Sequence, residues 1–167
     1  MEQHNPYQRP QAQPVDVPSP DGLVQASRWK RLGAAAIDAI IGVVIVLPVM
    51  FMGGYFSNLA NGGPSLLTQL AWGVLGFALF IAIHYIPLKN DGQTWGKKVV
   101  GVRIVDMHGQ NPGLGTLLGR RYLFSGGIGL IPFVGGLISI VNVLFIFRGD
   151  RRCLHDLVAD TRVVEVL

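Results

Sequence analysis

The sequence predicts an all-α integral membrane protein: three to four transmembrane or re-entrant helices with a small cytosolic β element. Three observations carry that expectation. Half of the 167 residues are hydrophobic, only 14% are charged, and mean hydropathy is positive. Leu32 to Met52 is a 21-residue apolar run, long enough to cross a bilayer. A second run, Leu66 to Ile86, contains no Asp, Glu, Lys or Arg.

Residues 1–27 are rich in Pro, Gln and Asp and lack an apolar signal-peptide core. They read as a disordered cytosolic tail, leaving residues 28–167 as the membrane domain. The first helix begins near Ser27, a natural N-cap, with Trp29 at interfacial depth, and runs to Met52. Residues 53–65 carry no formal charge and are dense in Gly, Asn and Pro, which suits a short loop on the non-cytosolic side. The second helix returns from Leu66 and is expected to stop at Pro87.

Residues 88–112 are polar and basic. Within them Val100, Val102 and Ile104 alternate, which predicts a short strand over Lys98–Asp106. The β-branched stretch Thr161–Val166 is its expected partner at the cytosolic surface. The apolar block from Leu114 to Phe147 admits two readings. A single crossing would place the arginines after Phe147 outside, against the positive-inside tendency. A hairpin avoids this: Leu114–Leu130 enters, the IPFVGG segment turns, and Leu137–Phe147 returns. The second arm is short, so it is re-entrant or sits in thin bilayer. The hairpin gives four segments with both termini cytosolic, in the cell membrane.

The chemistry-bearing residues are few. Asp38 is the only formal charge in the first apolar run, where a carboxylate costs about 2.5–3.5 kcal/mol to insert. Such a group faces protein or a water-filled cavity. Arg31 precedes it by two helical turns on the same face, with Ala35, Ala39 and Gly42 completing a small-residue stripe. A stripe of Gly73, Gly76, Phe77, Phe80 and His84 on the second helix brings His84 to the same leaflet. Arg120 and Arg121 are cationic candidates for pairing with Asp38. Asp38 is thus either one half of a structural ion pair or a binding group for a cation or proton.

Other motifs are excluded by spacing. Gly92 and Gly96 have three residues between them rather than four, and no Ser or Thr follows Lys97, so no phosphate loop is formed. Trp95, Lys97 and Lys98 suit a membrane-surface turn near anionic headgroups. The single cysteine, Cys153, excludes an internal disulfide, and the four histidines are scattered. No nucleophile–base spacing or metal cluster is present, so neither enzymatic activity nor a cofactor is expected. The net charge of +4 lies beside apolar runs rather than on a basic helix, which argues against a nucleic-acid partner.

Three stretches in series resemble the RDD family of small membrane proteins, named for one arginine and two aspartates. They are Arg31-Leu32-Gly33-Ala34-Ala35-Ala36-Ile37-Asp38, then Gly92-Gln93-Thr94-Trp95-Gly96-Lys97-Lys98 through Asp106, then Arg151-Arg152-Cys153-Leu154-His155-Asp156 through Thr161. The resemblance spans about Trp29 to Val164. It implies that Asp156 is the family's second aspartate and that Arg120 matches an arginine after the middle stretch. Asp160 departs from the pattern, which more usually has Gly there. The resemblance implies a multi-spanning cell-membrane protein and, faintly, transport. A ligand- or proton-binding set would comprise Asp38, Arg31, Arg120, His84 and Asp156. The alternative is a non-catalytic assembly or accessory module with structural Asp/Arg pairs. A transporter this small nearly requires a homo-oligomer.

Overall fold

The structure, a computed structural model, describes residues 22–129 and 135–166. The tail up to residue 21 and the turn of the IPFVGG segment over residues 131–134 lie outside the described residues. The chain is mostly helical. Helix α1 spans Arg28–Met52 and α3 spans Leu66–Asp91, joined through the short α2, Tyr55–Ala60. The 53–65 connection thus holds one helical turn and a half rather than loop alone. At 1.5 Å per residue, α1 and α3 are each about 38 Å long, enough to cross a hydrocarbon core of about 30 Å. Ser27 caps α1 by accepting the Lys30 N–H at 3.2 Å, and Ser65 caps α3 by accepting the Thr68 N–H at 3.2 Å.

Helix α3 does not stop at Pro87 as expected; it continues to Asp91. A proline leaves the carbonyl four residues earlier without its helical donor. Here that carbonyl, Ile83 O, accepts the Trp95 indole N–H at 2.7 Å. The satisfied carbonyl removes the usual reason for ending the helix. Gly92 then closes α3 with φ +65°, and a Cβ there would press on the Ile104 carbonyl.

Helix α4, Trp95–Val99, leads into β1, Val102–Asp106. The predicted strand therefore starts later, because Lys98 and Val99 are helical. β1 pairs antiparallel with β2, Thr161–Glu165, in the register Val102↔Glu165 to Asp106↔Thr161. Gln25 bridges to Val164 on the other edge of β2, and Ala26 N–H donates to Val163 O at 3.0 Å. Residues 24–26, counted with the tail on sequence grounds, thus lie along the sheet.

Residues 114–129 form one continuous helix: a π-wound segment, Thr116–Tyr122, followed by α5, Leu123–Gly129. α6, Gly135–Leu144, packs against α5 and ends in a 3-10 turn, Phe145–Phe147. The short α7, Leu154–Val158, precedes β2.

The buried core is Ala26, Ala34, Leu88, Val102, Ile104, Leu117 and Val163. All of it lies where the sheet meets one end of α1, α3 and the 114–129 helix. We refer to this region as the cap. Beyond it the apolar helices turn large side chains outward: Val44 is 65% exposed and Val74 68%. An aqueous domain would bury those faces; a bilayer solvates them. The expected small-residue stripe on α1 faces protein only near the cap. Ala35 and Ala39 are exposed, while Arg31 and Ala34 are buried. The stripe on α3 likewise meets the 114–129 helix rather than α1: the Phe80 and Tyr122 rings lie 4.8 Å apart.

Candidate functional site

The predicted site residues divide into two constellations inside the cap. The first is built on Asp156. α7 is five residues long, and the Asp156 carboxylate folds back to accept the N–H of Cys153 at 2.9 Å. This caps the helix and aims the carboxylate into the core, where it is fully buried. Arg31 from α1 and Arg121 from the π-wound segment both form ion pairs with it. Arg31 also donates to the carbonyl of Arg151 and to Cys153 Sγ at 3.4 Å; Arg121 also donates to Thr161 Oγ1 at 2.6 Å. One carboxylate thereby ties α1, the third helical block, α7 and the start of β2 together.

Burial alone would raise the Asp156 pKa, but Arg121 and Arg31 outweigh it and hold the carboxyl well below the usual range. His155 lies beside it, Nε2 3.6 Å from Asp156 Oδ1. Its backbone N–H and ring Nδ1 both meet Asn142 Oδ1, at 3.1 and 3.0 Å, which places the ring proton on Nδ1. Burial, reinforced by Arg121 and opposed by Asp156, lowers the His155 pKa to about 3. The imidazole is therefore neutral. Adjacent residues on a helix do not ordinarily face each other; here α7 is short and Asn142 orients the His155 ring. Burial raises the Cys153 thiol pKa, which leaves it protonated and a poor nucleophile. Cys153, His155 and Asp156 do bring donor atoms within 4.8 Å of one another. Two guanidiniums already hold the carboxylate, so a metal ion there would sit against fixed positive charge.

The second constellation is built on Asp38. Its carboxylate accepts the Thr94 hydroxyl at 2.5 Å and the Gly96 N–H at 2.7 Å. His84 Nε2 stands 4.0 Å away. His84 Nδ1 in turn accepts the Trp95 N–H at 3.3 Å, so its ring proton is on Nε2, facing Asp38. Thr94 Oγ1 meets the Lys97 N–H at 3.4 Å. The first N–H groups of α4 are thus satisfied by one side chain from α1, one from α3 and one of its own. A carboxylate at a helix N-terminus is also favoured by the helix dipole. Close approach makes this possible: Gly96 sits where any Cβ would collide with the Ala34 carbonyl and the Asp38 carboxylate.

The structure brings Asp38 together with His84, and Arg31 with Asp156. It does not pair Arg31 or Arg120 with Asp38. Arg120 is exposed, and Arg121 takes the inward place. The cause is the π-wound segment, whose wider turns shift which residue faces the cap. Sequence reasoning missed Thr94, Gly96, Asn142 and Thr161 as site residues. Thr94 alone carried a local signal, as a hydroxyl preceding a helical turn. Asp160, the departure from the family pattern, adopts φ +49°, a conformation that favours glycine.

The RDD family model matches residues 25–160. An uncharacterized protein of Haemophilus influenzae is 29% identical over 147 residues, covering 87% of this chain and 81% of its own. The uncharacterized protein YckC of Bacillus subtilis is 32% identical over 138 residues, 83% of each chain. The uncharacterized protein YxaI of the same organism is 29% identical over 101 residues, 60% of this chain and 58% of its own. No solved structure matches the chain significantly. With two helices long and apolar enough to cross a bilayer and a family match over residues 25–160, this chain is a membrane protein and belongs to the RDD family.

Proposed function

We propose that the chain is a multi-pass cell-membrane protein, with both termini cytosolic, that works as a non-catalytic assembly or accessory module. In this reading its Asp and Arg residues are structural clamps. The observation that carries it is the engagement of both carboxylates. Asp38 is held by Thr94 and Gly96, with His84 beside it at 4.0 Å, and Asp156 is held by Arg31, Arg121 and Cys153. A cation site needs carboxylate oxygens that are free to bind, and these are taken by the chain's own donors.

The topology rests on where the polar segments converge. The start of α1, the end of α3, and both ends of the 114–147 block meet in the cap, which supports an even number of crossings. No Lys or Arg lies between Arg31 and Lys89, and the cap carries the basic residues, which favours a cytosolic cap. Residues 135–147 reach about 20 Å at 1.5 Å per residue, which supports a re-entrant second arm. Trp95, Lys97 and Lys98 at the cap rim suit anionic headgroups.

A second reading is transport of a small ion or solute, with Asp38 as the binding or protonatable group. The observation favouring it is the His84–Asp38 pair, two titratable groups 4.0 Å apart, with Asp38 15% exposed. Such a path would call for a homo-oligomer. Proton and cation flux in proteoliposomes separates the readings. The clamp reading expects no flux from wild type and a lower melting temperature for Asp38→Asn. Flux that disappears in Asp38→Asn while the fold survives would establish transport instead. A reporter at the C-terminus tests the topology; an external signal would overturn it.

A further inference from the structure

The Asp38 constellation contains a contact that neither reading uses, the one between His84 and Trp95. His84 is 2% exposed, and its two ring nitrogens do opposite work. Nδ1 accepts the Trp95 main-chain N–H at 3.3 Å, while Nε2 faces Asp38 Oδ1 at 4.0 Å. A main-chain N–H can only donate, so this bond to Trp95 exists only while Nδ1 keeps its lone pair. A neutral imidazole offers one acceptor and one donor; an imidazolium offers two donors. One added proton therefore sets two N–H groups against each other at Nδ1. At Nε2 it turns the 4.0 Å approach into an ion pair with Asp38.

Trp95 rests on α3 at a second point. Its indole N–H donates at 2.7 Å to Ile83 O, the carbonyl that Pro87 leaves without a helical donor. Both N–H groups of one residue thus hold adjacent residues of α3, just before the proline at which that helix bends most easily. On the other side of α4, Asp38 accepts the Thr94 hydroxyl and the Gly96 N–H. A carboxylate drawn toward an imidazolium competes with both bonds. The proton that repels Trp95 therefore also loosens the hold of α1 on the start of α4.

Among the described residues, the charged groups that act on the ring are Asp38 from α1 and Lys97 from α4. Toward the 114–129 helix the ring meets Phe80, which packs in turn on Tyr122. His155, in the other constellation, stays neutral down to about pH 3, so it does not titrate near neutrality.

We propose that the joint between α3 and α4 is a proton-operated latch. It is closed while His84 is neutral. Protonation of His84 expels the Trp95 N–H, transfers the ring's hold to Asp38 and lets α4, with Lys97 and Lys98, lift from α3. The latch requires no ion to cross the membrane, so it stands whether the chain is a module or a transporter.

The chain has three tryptophans, so Trp29→Phe and Trp72→Phe leave Trp95 as the single reporter. Acrylamide quenching of that protein in lipid nanodiscs at low ionic strength, read from about pH 8 to pH 5, tests the latch. The expected result is a reversible one-proton rise of about twofold in the quenching constant, because Trp95 is only 40% exposed when latched. His84→Gln should hold the low value throughout, since its amide carbonyl accepts the Trp95 N–H and does not titrate. Lys97→Gln removes the cation that opposes a charged ring, so the rise should move to higher pH by a few tenths of a unit. A structural histidine contact would show neither effect. If His84→Gln does not fold, the Lys97→Gln shift decides. Quenching that stays flat in the parent protein, a rise that survives in folded His84→Gln, or a rise that Lys97→Gln does not move upward would each overturn the proposal.

Discussion

Asp156 and Asp38 are both carboxylates in the cap, yet they are kept by opposite means. Asp156 is fully buried and is neutralised by two guanidiniums. Asp38 is 15% exposed and is held by a hydroxyl and a backbone N–H, with the His84 imidazole 4.0 Å away. Full charge pairing is needed where water is absent, because an unpaired buried charge costs several kcal/mol. Dipoles suffice where the group keeps some access to solvent. Asp156 is therefore expected to be the strut of the cap, and Asp38 the hook for α4.

Asp156→Asn should break the comparison most sharply. It leaves Arg31 and Arg121 buried around a neutral amide and should cost about 3–5 kcal/mol, read as the largest fall in melting temperature among cap variants. Acid should weaken the same cluster. The folded pKa of Asp156 lies below its unfolded value of about 3.9, so its contribution is complete above that pH and is lost as pH falls through the folded value. His155 acts earlier. Its folded pKa of about 3 lies below the unfolded value, so the unfolded chain takes up the proton first. Its stabilisation is complete above about pH 6.5 and declines on acidification until about pH 3. Melting temperature measured between pH 7 and pH 4 should fall, and should fall less in His155→Gln.

Gly96→Ala should come next, at about 1–3 kcal/mol, because its Cβ must displace the Ala34 carbonyl or α4 itself. Increased solvent accessibility of Trp95 by fluorescence quenching would show that α4 has lifted. Asp38→Ala removes a cap without inserting bulk and should cost about 0.5–2 kcal/mol with the same fluorescence change. A larger loss for Asp38→Ala than for Asp156→Asn would invert the proposed ranking. Asp160→Gly should be the smallest change. It relieves a left-handed residue and sacrifices only an exposed contact with Arg152, so a gain of about 1 kcal/mol or less is expected in the same melts.

Much of the frame was legible in the chain itself. The two apolar runs marked α1 and α3, and the alternation of Val100, Val102 and Ile104 with the β-branched stretch Thr161–Val166 marked the paired strands. Ser27 marked the first cap. The site was legible only as a set of candidates. Asp38 stood out by its cost, while Asp156 stood out only through a family resemblance. The register inside residues 114–129 was not legible, because a π turn differs from an α turn by one residue and leaves no mark on hydrophobic spacing. Pro87 misled because its freed carbonyl is satisfied by Trp95, eight residues further on.

By itself, then, the sequence determined which segments are solvated by lipid and which carry charge, because the cost of an apolar run or a lone carboxylate depends mainly on local composition. Only the tertiary structure decided who pairs with whom. Arg31 passes over Asp38, two turns away on its own helix, to reach Asp156, which lies 125 residues further along the chain. Asp38 instead takes up the N-terminus of α4. Pairing in a buried cap goes to whichever donor the packed backbones bring within hydrogen-bond distance, and separation along the sequence does not measure that distance.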